Sequence, residues 1–405
     1  MKFRLTASIF LLSTTVFTSA LAQTSSPNSD PITRPRVVAN VRVKNEDRPD
    51  LRPTVASNRP QTESIGNRSL GMGRLRARID EAERLLRSRT EPTAYLPKST
   101  SLSYVTVAAL DPAQSRIHLI VVPKETFLKR GSMMSLSTSM GTPVTLRVLR
   151  ANGVNTAVTV VDQSGRNFTP LLVQYPVERG GRLAETAYYT SVHPMLVSND
   201  VVSAGQSYLH SMLDLSAKRL RAKNIMISPQ LVGMAERLCI VEHSDHTRFN
   251  SENRKELFNE IYSLYGLNEQ NTYRYAVSTA GAGGIAQMIP ATYQTIRRLY
   301  PQMNLTPDFV TGMRNHSNAL DAMLLYMHYT WNEMSNSSDV QNALNRGIAA
   351  PYELMAAGYN SNPAKIPKYL REGGSGWRSL IPHETQLYLT IYKSLDTISP
   401  IRQNH

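Results

Sequence analysis

Near residue 200 the spacing of apolar residues changes period, and this change restricts the chain to a fold in two parts. From about Ser101 to Val197 apolar residues recur at every second position: Val105 and Val107, then Ile117, Leu119 and Val121, then Val144, Leu146 and Val148, then Val158 and Val160. A period of two marks strands that bury one face. Turn signals separate these runs at Asp111-Pro112, Asn152-Gly153, Ser164-Gly165 and Gly180-Gly181. The expectation is a small, mainly antiparallel β-domain over residues 96–201. From about Val202 the apolar spacing becomes three and four, the period of a helix with one buried face. Leu209, Met212, Leu213 and Leu220 mark one helix. Ser228-Pro229 then supplies an N-cap and a proline at the first helical position. The helix that follows carries Leu231, Met234, Ala235, Leu238, Cys239 and Val241 and closes on Glu242-His243-Ser244-Asp245. Further amphipathic runs lie at Leu257–Leu264, Leu320–Trp331 and Tyr388–Leu395. The expected fold class is α+β and multidomain, with a mainly α C-terminal domain over residues 202–405 preceded by the β-domain.

Ahead of both stands a different texture. Met1-Lys2-Phe3-Arg4, an apolar run from Leu5 to Phe17 and Ala20-Leu21-Ala22-Gln23 read as a signal peptide over residues 1–22, cleaved after Ala22. The run is too short for a comfortable membrane span, so no transmembrane segment is expected once it is removed. Residues 23–95 read as a flexible basic linker, poor in aromatics. Within it Leu75, Ile79, Ala82 and Leu86 predict one amphipathic helix at about 70–89 that packs on the body. The formal net charge of +14 suits an anionic partner. Export turns that reading away from nucleic acid and toward a membrane surface or an acidic wall polymer. A single cysteine, Cys239, forbids an internal disulfide, and its helical position makes it a packing residue.

The segment Ser278-Thr279-Ala280-Gly281-Ala282-Gly283-Gly284-Ile285-Ala286-Gln287-Met288-Ile289-Pro290 gathers small residues around one glutamine. Small residues let backbone lie close to a ligand, and glutamine both donates and accepts hydrogen bonds there. Two later segments accompany it: Ala356-Ala357-Gly358-Tyr359-Asn360-Ser361-Asn362-Pro363, and Ile381-Pro382-His383-Glu384-Thr385-Gln386-Leu387-Tyr388. In this order the three resemble the catalytic domain of the soluble lytic transglycosylases. That family shows Ser-x-x-Gly-Ala-x-Gly-hydrophobic-x-Gln, then an Ala-Tyr-Asn-Ala-Gly-like loop, then a Pro-x-Glu-Thr-x-x-Tyr helix start. The resemblance covers roughly residues 225–400. The chain departs from the pattern where Gly358 precedes Tyr359 in place of alanine and where Ser361-Asn362 replaces Ala-Gly.

The resemblance implies a lysozyme-like fold and cleavage of the β-1,4 bond between MurNAc and GlcNAc of peptidoglycan, with a 1,6-anhydro product and no cofactor. One glutamate would act as acid and then as base. Such an acid must stay protonated near neutral pH, which an apolar pocket achieves. Glu242 has apolar residues three, four, seven, eight and eleven positions before it, so a buried helix would hold its carboxyl rigidly. Glu269 is the alternative. It stands nine positions before Ser278, but Gly266, Asn268, Gln270 and Asn271 around it read as a helix end and a polar loop. By resemblance Ser278 would support the acid or a sugar amide, Gln287 would hydrogen-bond the saccharide, Tyr359 would orient the acid and Asn360 would line the cleft. Glu384 reads as a first-turn carboxylate that suits the helix dipole. His243, Asp245 and His246 share one loop without a second ligand cluster, so no metal is expected. The Tyr188-Tyr189 pair reads as packing. The partners implied are peptidoglycan glycan strands and an envelope protein meeting the β-domain, in the periplasm or at the cell wall. A hydrolytic muramidase and a noncatalytic peptidoglycan-binding scaffold stay open as alternatives.

Overall fold

The computed structural model describes residues 71–88 and 102–398. The expected signal peptide and most of the basic linker lie outside the described residues. An opening helix, α1 (Met72–Ser88), precedes seven strands, β1 (Tyr104–Asp111), β2 (Arg116–Pro123), β3 (Met133–Ser137), β4 (Pro143–Arg150), β5 (Ala157–Asp162), β6 (Asn167–Arg179) and β7 (Arg182–Tyr189), with the short helix α2 (Lys124–Phe127) after β2. The rest is helical: α3 (Asn199–Arg221), α4 (Pro229–Val241), α5 (His246–Ser251), α6 (Arg254–Asn268), α7 (Pro290–Leu299), α8 (Phe309–Arg314), α9 (His316–Ser335), α10 (Ser338–Asn345), α11 (Pro351–Asn360), α12 (Ile366–Gly373) and α13 (His383–Ile398). The architecture is α+β.

The strands form one antiparallel sheet in the order β2-β1-β6-β5-β4-β3, with β7 added on β6. The long strand β6 pairs with β5, β1 and β7 in turn, which curls the sheet into a half-barrel. Leu119 and Ser139 tie the far edge: the Ser139 N–H donates to the Leu119 carbonyl at 2.8 Å, and the Leu119 N–H donates to Ser139 Oγ at 3.0 Å. The alternating pattern misplaces one strand. It predicts Ile117, Leu119 and Val121 on the buried face, whereas Ile117, His118, Ile120 and Val122 are buried and Val121 is exposed. Both faces of β1 are covered, and the outer face of β2 is covered only at its Ile117 end. Ile120 and Val122 join Val105 and Val107 inside the half-barrel, while Ile117 and Leu110 meet Leu75, Ile79 and Leu86 of α1. Two covered faces erase the period of two. Strand β3, Met-Met-Ser-Leu-Ser, is not among the predicted strands; its Met134 and Leu136 pack, partly buried, against the half-barrel core.

The two parts are joined by polar and apolar contacts. Asn268 at the end of α6 imitates a strand neighbour: its Oδ1 accepts from the Thr190 N–H and its Nδ2 donates to the Thr190 carbonyl, both at 2.9 Å. Arg150 of β4 donates to Glu260 of α6 at 2.8 Å. Tyr189, Val192 and Leu264 form a small shared core. Helices α3 and α6 cross at backbone distance, because a Cβ on Gly205 would lie 1.8 Å from the Tyr262 carbonyl oxygen. Only glycine permits that crossing.

Helix α4 is the centre of the helical part. Ser228 caps it by accepting from the Leu231 N–H at 3.2 Å, and Pro229 opens it, as the sequence predicts. Leu231, Ala235, Leu238, Cys239 and Ile240 are buried against α3, α9, α11 and α13. Cys239 is wholly buried, with its sulfur 3.7 Å from that of Met323.

Candidate active site

Helix α4 ends at Val241, and Glu242 is its C-cap. The helix therefore delivers the carboxyl from a fixed stem to the edge of the core, where the side chain is half-buried. Tyr388 of α13, itself buried, donates its hydroxyl to Glu242 Oε1 at 2.7 Å. Burial pushes the Glu242 pKa up to about 7, and the negative charge of Glu384 pushes in the same direction, while the Tyr388 hydrogen bond opposes both. Burial also holds the hydroxyls of Tyr388 and Tyr359 well above the usual phenol range, so both remain donors.

The glycine-rich segment lies beside this acid. Val277 bridges Gly283, and Gly283 bridges Met288, so the segment folds back on itself as a compact loop. Gly284 has φ of +66°, and a Cβ there would lie 2.2 Å from the Met313 carbonyl oxygen of α8. Three successive carbonyls of the loop are each held by a side chain. Gln287 Nε2 donates to the Gly284 oxygen at 2.8 Å, His243 Nε2 to the Ile285 oxygen at 3.1 Å, and Tyr359 Oη to the Ala286 oxygen at 2.7 Å. Two of those three donors come from the neighbourhood of the acid: His243 follows it in sequence, and Glu242 is among the charges acting on Tyr359.

The structure brings Glu242, the glycine-rich loop, Tyr359 and Asn360 together and redistributes their expected roles. The hydrogen bond to the acid comes from Tyr388, whereas Tyr359 serves the Ala286 carbonyl. Asn360 Oδ1 accepts from the Thr385 hydroxyl at 2.8 Å and so ties α11 to the start of α13. Ser278 accepts the Ala282 N–H on its Oγ at 3.0 Å, a bond that closes its own turn. The Gln287 side chain is likewise folded onto its loop, at a residue with φ of 44°. Glu384 sits exposed in the first turn of α13, as a helix dipole favours. Glu269 belongs elsewhere: it forms an ion pair with Arg76 of α1, in a groove lined by Met72 and Tyr208. Asp245 caps α5 by accepting the Arg248 N–H at 2.9 Å.

Two buried carboxylates had no signal in the sequence. Glu236 of α4 is 4 % exposed and faces His210 Nδ1 at 3.2 Å, and burial raises its pKa. Glu353 is 3 % exposed, pairs with Arg378 and Lys393, and accepts the Ala350 N–H at 3.0 Å at the start of α11. Charged residues are rarely buried without partners, and both are partnered.

What this arrangement can do follows from its parts. A carboxyl whose pKa lies near 7 both gives and takes a proton at neutral pH. It is fixed on a helix end, and backbone with little side-chain bulk lies beside it. No protein-family model, curated protein or solved structure matches the chain.

Proposed function

We propose that the chain is an exported peptidoglycan lytic transglycosylase whose helical part has a lysozyme-like fold. It cleaves the β-1,4 bond between MurNAc and GlcNAc, with Glu242 as the one acid and base. The observation that carries this reading is the half-buried Glu242 carboxyl, raised to about 7 and bonded to Tyr388 at the end of α4. The order of the three sequence segments supports it.

In the first half of the reaction the protonated carboxyl donates to the glycosidic oxygen as the bond from that oxygen to C1 of MurNAc breaks. In the second, the carboxylate removes the proton of the C6 hydroxyl while its oxygen bonds to C1. The product is the 1,6-anhydro sugar, and Glu242 ends as it began, protonated. No net proton and no cofactor are consumed. Tyr388 stabilises the carboxylate between the two halves. Asn360 and the glycine-rich loop line the cleft, with Gln287 free to exchange its bond to Gly284 for one to sugar. Glycan strands are then the partner, and the periplasm or cell wall is the location.

The test is digestion of purified sacculi by the full mature chain, read by mass spectrometry of released muropeptides. Anhydro ends that vanish in Glu242→Gln are expected. Reducing ends would identify a muramidase. Absence of release with retained pelleting on sacculi would identify a binding protein. Loss of release in Glu269→Gln alone would move the acid.

A further inference from the structure

The residue after the acid makes a contact that the proposed chemistry does not use. The His243 ring lies flat on the Tyr273 ring, with centroids 3.4 Å apart and an interplanar angle of 2°. Its Nε2 is 3.1 Å from the Ile285 carbonyl oxygen. A carbonyl can only accept, so the proton is on Nε2. Tyr273 in turn is strongly constrained. It adopts φ of 56°, a conformation a bulky residue rarely takes, and its ring meets the Tyr265 ring edge-on at 5.5 Å. The Tyr265 hydroxyl donates to the Cys239 carbonyl of α4 at 3.2 Å, which returns the chain of contacts to the helix that carries Glu242. On its other side Tyr273 packs on Tyr189 and Val192, at the end of the strand region, and the Tyr189 hydroxyl hydrogen-bonds the Tyr273 backbone.

We propose that His243 is the positioning residue of this site: it fixes the Ile285 carbonyl, and with it the glycine-rich loop, at a set distance from Glu242. The stacked Tyr273 holds the imidazole in plane, and the strand region holds Tyr273. Of the three loop carbonyls that are fixed by side chains, Ile285 is the one held by the immediate neighbour of the acid. Neutrality suits this role, because a ring that stays uncharged presents one fixed N–H. Burial does push the His243 pKa down, to about 3. The half-barrel acquires a function by the same route: it braces the tyrosine on which the loop anchor rests.

The consequence for turnover rests on the glycan-cleaving reading of Glu242, but the geometric statement does not, and the experiment separates them. Amide hydrogen exchange of the peptide spanning residues 283–288 is compared in the wild type, His243→Ala, His243→Gln and Tyr273→Leu. We expect exchange at least tenfold faster in His243→Ala and Tyr273→Leu, with His243→Gln intermediate because it retains an N–H donor. In parallel, kcat for muropeptide release should fall at least tenfold in His243→Ala with KM within twofold of wild type. Loop exchange in His243→Ala equal to wild type overturns the proposal. A wild type that releases no muropeptides sinks the glycan reading alone, since the exchange still decides the role of His243. Nitrogen NMR of the wild-type imidazole at pH 6 needs no variant. The neutral Nε2–H tautomer is expected, and a charged ring or the Nδ1–H tautomer overturns the proposal even if every variant fails to fold.

Discussion

The Tyr388 hydroxyl donates to Glu242 Oε1 at 2.7 Å across 146 residues of chain. That bond favours the carboxylate, whereas the nearby Glu384 charge disfavours it. The two neighbours should therefore move the pH profile in opposite directions. On the proposed reading, muropeptide release needs protonated Glu242 and should decline as pH rises through about 7. Tyr388→Phe removes a stabiliser of the charged form, so its decline should come at higher pH. Glu384→Gln removes a repelling charge, so its decline should come at lower pH. Rate against pH for the three proteins checks this, and shifts of the same sign would refute the assignment.

The acid also leaves a mark on stability. Its pKa in the folded chain, about 7, lies above the usual 4.5, so between these values the folded state holds more protons than the unfolded one. Stability contributed by Glu242 is therefore greatest below about 4.5, falls as pH rises toward 7 and is level above it. Glu242→Gln removes this dependence. It should match the wild type at pH 4 and be more stable at pH 8 by on the order of 2 kcal/mol, while release falls on the order of a thousandfold. Urea unfolding at the two pH values, beside the sacculus assay, measures both.

Two glycines of the same loop should respond differently to alanine. At Gly284 an added Cβ meets the Met313 carbonyl oxygen at 2.2 Å and the backbone has φ of +66°. Strain and overpacking together should cost about 3 kcal/mol and displace the loop. Gly281 has φ of +78° with nothing within 4 Å of a new Cβ, so only about 1 kcal/mol should be lost. Thermal unfolding of Gly284→Ala and Gly281→Ala tests the order, which equal losses would contradict.

Asn268→Ala removes both bonds to the Thr190 backbone at the junction of strands and helices. Thr190 is 1 % exposed, so its N–H and carbonyl would be left in a dry site. A loss of about 2 kcal/mol is expected in chemical denaturation, with faster amide exchange at residues 189–191.

The sequence made the acid-bearing helix plain, because Ser228-Pro229 starts it and apolar residues recur at its turns up to Val241. Strands with one covered face were plain too, as were turns such as Asn152-Gly153. Three features were hidden, each for a physical reason. His118 and Ile120 are buried on the inner face of the half-barrel, His118 against Phe168 and Thr138, while α1 covers Ile117 on the other face, and a strand cannot announce a partner that another segment supplies. Glu236 and Glu353 follow no hydrophobic period; their burial depends on His210, Arg378 and Lys393, far away in sequence. Tyr359 and Tyr388 are both tyrosines on helices that pack near α4, and only the packing angle decides which hydroxyl meets Glu242.

The separation of Glu242 from Tyr388 has a consequence in time. A chain is made from its N-terminus, so the helix that carries the acid emerges 146 residues before the hydroxyl that steadies it. At ordinary rates of synthesis the interval is roughly 7–30 s. During that interval the carboxyl lacks both its donor Tyr388 and the neighbouring charge of Glu384, which lie on the same helix. The hydrogen bond that favours the Glu242 carboxylate therefore forms only after α13 has been made and has docked.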